Sequence, residues 1–141
     1  MPYDISWLDD QESIMLISAE GRITWDEYHT VNDQAQALIK TLPYRVDTIF
    51  VSKVGVPPGN PLPHFREVFQ SWGALPNLGL IMAVETDRTR SFIKAAVEIA
   101  GRLMGYTMPV NTAFVASIDE ALGKIRADRE QKDGAKEQAA L

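Results

Sequence analysis

Cysteine is absent from the 141 residues, and that absence removes several classes of protein at once. No disulfide can staple a small secreted scaffold, no thiolate can ligate a metal, and no thiol can act as a nucleophile. Histidine is scarce. His29 and His64 are the only two, and neither belongs to a His-x-x-x-His pair, so no structural metal site is legible. Basic clusters are missing too. The net charge is −5, and no run of Lys and Arg follows one face of an expected helix, which argues against a nucleic-acid partner. No apolar run approaches the length of a membrane span. Residues Met1 to Asp10 hold no basic stretch followed by an apolar core, so no secretory signal is expected and a cytoplasmic location is the default.

The usual signs of catalysis are equally thin. Asp9-Asp10 reads as a turn, and Asp26-Glu27 as acidic charge at a helix start, where the helix dipole favours it. Gly55 and Gly59 bracket Val56-Pro57-Pro58, but no Gly-Lys-Ser/Thr follows, and proline removes the N–H donors a phosphate needs. No cofactor is expected, no nucleophile–base pair is visible, and an enzyme ranks last among the functional classes.

What is present is a repeated unit: a short apolar run, a turn signal, then a capped amphipathic helix. Length sets one domain over residues 1–130, with 131–141 expected as a disordered tail where apolar periodicity stops. A chain of this size buries roughly 70% of its unfolded surface, enough for a true core. Asp4–Leu8 and Ser13–Ala19 read as a hairpin, the second strand carrying the unbroken run Ile14-Met15-Leu16-Ile17 of a sheet covered on both faces. Thr24-Trp25-Asp26-Glu27 is a capping box. The helix behind it presents Tyr28, Val31, Ala35, Leu38, Ile39 and Leu42 in a stripe of about 100° and stops at Pro43. Val46–Val51 is a third strand. Ser52–Pro63 is a loop with four prolines, and Asn60 and Pro61 open a short helix that ends at Gly73. Leu78–Val84 is a fourth strand. A helix over Arg88–Met104 follows, with an apolar face of roughly 160°, wider than packing on a sheet requires. Thr112–Ala116 is a last strand, and Ser117-Ile118-Asp119-Glu120 a second capping box, whose helix turns Ala121, Leu122 and Ile125 inward. The order ββαβαβαβα predicts an α/β fold: a mixed, mostly parallel sheet flanked by about four helices.

Three stretches carry a family likeness: Gly21-Arg22-Ile23-Thr24-Trp25-Asp26-Glu27-Tyr28, Leu78-Gly79-Leu80-Ile81-Met82-Ala83-Val84, and Phe114-Val115-Ala116-Ser117-Ile118-Asp119-Glu120-Ala121-Leu122. Together with the element order they resemble the STAS (anti-sigma-factor-antagonist-like) fold, in its SpoIIAA-like branch, which is akin in architecture to CRAL-TRIO lipid-binding domains. The likeness spans about Ile14 to Ile125. It implies a non-catalytic module of a bacterial-type regulatory system that works through a protein partner. The family's antagonists switch by phosphorylation of a Ser or Thr where the second helix begins. Here that stretch, Val54 to Pro63, has no hydroxyl, and none occurs between Ser52 and Ser71, so the phospho-switch has no acceptor.

Two sets of residues are candidate contact sites. Ser52, Lys53, His64, Phe65, Arg66, Phe69 and Trp72 surround the proline-rich loop and the helix after it. They suit a partner, or alternatively a pocket for an apolar small molecule or lipid with Lys53, His64 and Arg66 as polar handles. The ordinary reading of Phe65, Phe69 and Trp72 is core packing. Phe92, Ile99 and Leu103, on the wide apolar face of the Arg88–Met104 helix, are a candidate interface for a partner or for a homodimer.

Overall fold

In the computed structural model, which describes residues 3–54, 57–84 and 112–140, the apolar runs become five strands: β1 Tyr3–Trp7, β2 Ile14–Gly21, β3 Val46–Val54, β4 Leu78–Val84 and β5 Thr112–Val115. They form one sheet in the order β1-β2-β3-β4-β5. β1 runs antiparallel to β2, and every later pairing is parallel. The described helices are α1 Trp25–Lys40, α2 Leu62–Gly73 and α3 Ile118–Ala140. The α/β class and the mixed, mostly parallel sheet agree with the sequence reading, with three helices among the described residues rather than about four. The expected Arg88–Met104 helix, with Phe92, Ile99 and Leu103, lies outside the described residues.

Alternation along the strands sorts the core into two layers. Met15, Ile17, Val46 and Ile81 face Val31, Ala35 and Ile39 of α1 and Val68 and Trp72 of α2. Ile14, Ile49, Met82, Val84 and Val115 face Ala121 and Ile125 of α3. The continuous run of β2 is thus divided between two helical layers, which is why no position in it is polar. Because consecutive strands are neighbours throughout, right-handed crossovers place α1 and α2 on the same face. They pack side by side, joined by Gln36 Nε2 to Ser71 Oγ at 2.8 Å and by Trp72 Nε1 to Asn32 Oδ1 at 2.7 Å.

The amino ends of the parallel strands are held by a buried charge network. Asp47, fully buried on β3, accepts from Arg45 (2.9 Å), from Arg129 Nε of α3 (2.7 Å) and from the backbone N–H of Leu80 (2.6 Å). Arg45 also reaches Asp128 at 2.7 Å. Burial works against charge on Arg45, but the hydrogen bonds it donates to Asp47 and Asp128 outweigh it and hold the guanidinium above its ordinary range. Arg129 continues to the carbonyl of Ser13 at 3.0 Å. Asp9 closes the hairpin by accepting from the N–H of Ser13 and of Ile14, each at 2.9 Å. Partial burial opposes charge there too. It is outweighed by these bonds, by the Ser13 hydroxyl and by Arg129, so the Asp9 carboxyl sits below the usual carboxylate range.

Several boundaries differ from the sequence reading. β3 continues to Val54, pairing Ser52 with Ala19 and Lys53 with Glu20, so the loop read as Ser52–Pro63 begins only after the strand. Parallel pairing with β2 extends the strand past its apolar stretch, and pairing is not written in local composition. Pro61 is the N-cap of α2 rather than its first helical residue, and Gly73 is the last helical residue, with Ala74 as a right-handed C-cap. Finally, α3 continues to Ala140 across the stretch read as a tail. Residues 130–133 are exposed, so no apolar stripe marks this extension. Its Ala, Glu, Lys and Gln are good helix formers, and Lys132 pairs with Asp128 one turn back at 3.3 Å.

Candidate functional site

Two helix starts meet at the carboxyl end of the parallel strands. α1 begins four residues after β2, and its start is fixed by the capping box read from the sequence. The Glu27 N–H donates to Thr24 Oγ1 at 3.1 Å, and the Thr24 N–H to Glu27 Oε1 at 3.0 Å. This sets Trp25 as the first helical residue and His29 one turn on. The Tyr3 hydroxyl of β1 donates to the Glu27 carbonyl and ties the sheet edge to the same turn. α2 begins at Leu62 after the proline-rich loop, which places His64 in its first turn.

The alignment of α1 with α2 brings these turns together. His29 Nε2 and His64 Nδ1 are 2.7 Å apart. At that separation one ring donates and the other accepts, so the two nitrogens share one proton. The Trp25 indole lies over the His64 ring, with centroids 4.3 Å apart and planes within 3°. Its N–H donates to the Pro58 carbonyl at 2.9 Å. One side chain therefore pins both the imidazole and the loop. Phe65 meets Trp25 edge-on at 5.6 Å and stacks with Phe69 at 5.9 Å, while Tyr28 lies edge-on to His29 at 5.8 Å. Burial pushes the Tyr28 phenol well above the usual tyrosine range, so it stays a neutral hydroxyl at physiological pH.

Of the seven loop-and-helix residues picked out from the sequence, His64, Phe65 and Phe69 take part in this cluster. Phe65 and Trp72 are 2% and 3% exposed and belong to the core, with the Trp72 N–H occupied by Asn32. Lys53 projects from β3 and pairs with Glu20 at 3.3 Å. Ser52 lies half-buried on the same strand, and Arg66 is exposed on α2. Trp25, His29 and Pro58 complete the cluster and carried no separate signal. His29 falls outside the apolar stripe and reads as a solvated residue. Trp25 stands out in the sequence only as a member of the capping box.

Among the described residues no group of three or more His, Asp or Glu is placed to hold a metal ion, and no helix is long and apolar enough to cross a membrane. A separate open groove of about 600 Å³ lies between β1 and α1, lined by Tyr3, Ile5, Ala37, Leu38 and Thr41 among others. Comparison with family models, with curated proteins and with solved structures finds no match to this chain.

Proposed function

We propose that this chain is a non-catalytic binding module of STAS-like architecture that engages a protein partner, another protein or a second copy of itself. Its contact surface is the carboxyl end of the parallel strands, at the β3–α2 loop and the first turns of α1 and α2. The observation that carries this reading is the Trp25 clasp, stacked on His64 and hydrogen-bonded to Pro58. It holds Pro58, in a stretch rich in proline, against a half-exposed ring surface, and a segment held in advance loses little entropy on binding. The likeness to the STAS fold supports the same end of the sheet. The lack of a hydroxyl from 53 to 70 favours a partner contact that needs no phosphate. A carrier of an apolar molecule finds less support, because Phe65 and Trp72 are already spent on core contacts.

The test is cross-linking mass spectrometry of the full chain in its own cells, with exposed Lys53 as the nearest anchor, repeated on Trp25→Ala. A protein or second copy cross-linked near residues 53–66 in the parent, and lost in the variant, is the expected result. Absence of any cross-linked protein, or an unchanged pattern in the variant, defeats the reading.

A further inference from the structure

The two histidines, 35 positions apart in sequence, form the closest pair of metal-ligating nitrogens in the described structure. We propose that His29 and His64 together bind a divalent transition-metal ion that favours cis nitrogen donors, copper(II) before nickel(II) and both before zinc.

The argument starts from donor spacing. With metal–nitrogen bonds of about 2.0–2.1 Å, two donors at a right angle lie about 2.9 Å apart, and two donors of a tetrahedron about 3.3 Å apart. The observed 2.7 Å is close to the first value. The rings are tilted 48° to each other with centroids 5.0 Å apart, so the two nitrogens face each other head-on, and each ring must swing by about 45° to aim its lone pair at one ion. The helices that carry them are held in place by Asn32–Trp72 and Gln36–Ser71, which keeps the donors together without an ion. Trp25 covers one face of His64, which leaves that ring free to swing within its own plane while the stack is kept.

The proton balance is simple. In the free protein one imidazole donates its N–H to the other. When the ion binds, that ring moves its proton to its other nitrogen, the facing nitrogen becomes a ligand, and a neutral pair releases no net proton. No third side-chain ligand is clustered here among the described residues, so water completes the coordination and the ion exchanges readily. This inference does not rest on the partner reading, because its test uses the chain alone.

The experiment is a titration of the full chain, carrying no histidine tag, with copper(II), nickel(II) and zinc salts. Calorimetry and tryptophan emission are the readouts, and electron paramagnetic resonance follows the copper form. His29→Gln and His64→Gln keep a hydrogen-bonding amide but remove the ligand. We expect one copper ion per chain, quenching of Trp25, a signal from two nitrogen ligands, and a loss of affinity of about tenfold or more in either variant. Three results overturn the proposal: no saturable binding below millimolar metal, loss in one variant only (a single surface histidine), or equal binding in variants whose circular dichroism matches the parent.

Discussion

At the residue scale, Asp47 organises the amino end of the sheet. Its carboxylate is fully buried and answers two guanidinium groups and a backbone N–H. Removing it leaves the Leu80 N–H and two partly exposed guanidinium groups short of an acceptor, which costs about 1–3 kcal/mol. Asp47→Ala is therefore expected to lower stability by that order in urea unfolding. Gly79 shares the site for a steric reason. A Cβ there collides with the Asp47 carboxylate and lies 2.6 Å from Arg45 Nε. Gly79→Ala is expected to cost about 1–3 kcal/mol through overpacking, and less when combined with Asp47→Ala, because the obstructing carboxylate is gone. Strict additivity of the two in a double-mutant cycle would show that the collision is not the cause. None of this was legible beforehand. Asp47 sits in an apolar strand and Gly79 in another, and their contact depends on the register of β3 with β4.

At the scale of elements, the sequence was most informative where the physics is local. The Thr24 capping box is present in full, with both of its hydrogen bonds. The second is present in half: Ser117 Oγ accepts from the Glu120 N–H at 3.1 Å, but the Glu120 carboxylate takes the N–H of Ala116 at 2.7 Å rather than that of Ser117. The Thr24 cap also positions Trp25 and His29. Thr24→Ala is expected to cost about 1 kcal/mol and to loosen the Trp25–His64 stack. Urea unfolding together with the imidazole and indole resonances in nuclear magnetic resonance checks this. A stability loss with unchanged ring resonances would mean that helix packing alone holds the site. The length of β3 and the far end of α3 escaped the sequence reading. One depends on a neighbouring strand, and the other on helix propensity without an apolar stripe.

At the scale of the molecule, a sheet in sequential order offers no reversal point where a crevice opens between strands. The site is instead made by neighbouring helix starts on one face. β2, β3 and β4 each have two strand neighbours and helices on both faces, whereas β1 pairs on one side only in the described sheet. Amides of β2, β3 and β4 are thus expected to exchange with solvent only by global unfolding, and those of β1 by cheaper local opening. Hydrogen-exchange mass spectrometry across a denaturant series checks it, and equal protection of β1 and β3 would mean that the hairpin and sheet open as one unit.

The sequence by itself determined the α/β class, the mixed sheet, the covered strands and the start of α1. Each of these follows from hydrophobic period and capping chemistry acting over a few residues. Only the tertiary structure decided that His29 meets His64, that Trp25 clasps Pro58, and that Asp47 finds Arg129 from 82 positions away. Those pairs depend on strand register and on how α1 and α2 lie against each other. Both are set by the whole core at once, and no stretch of the chain carries them alone.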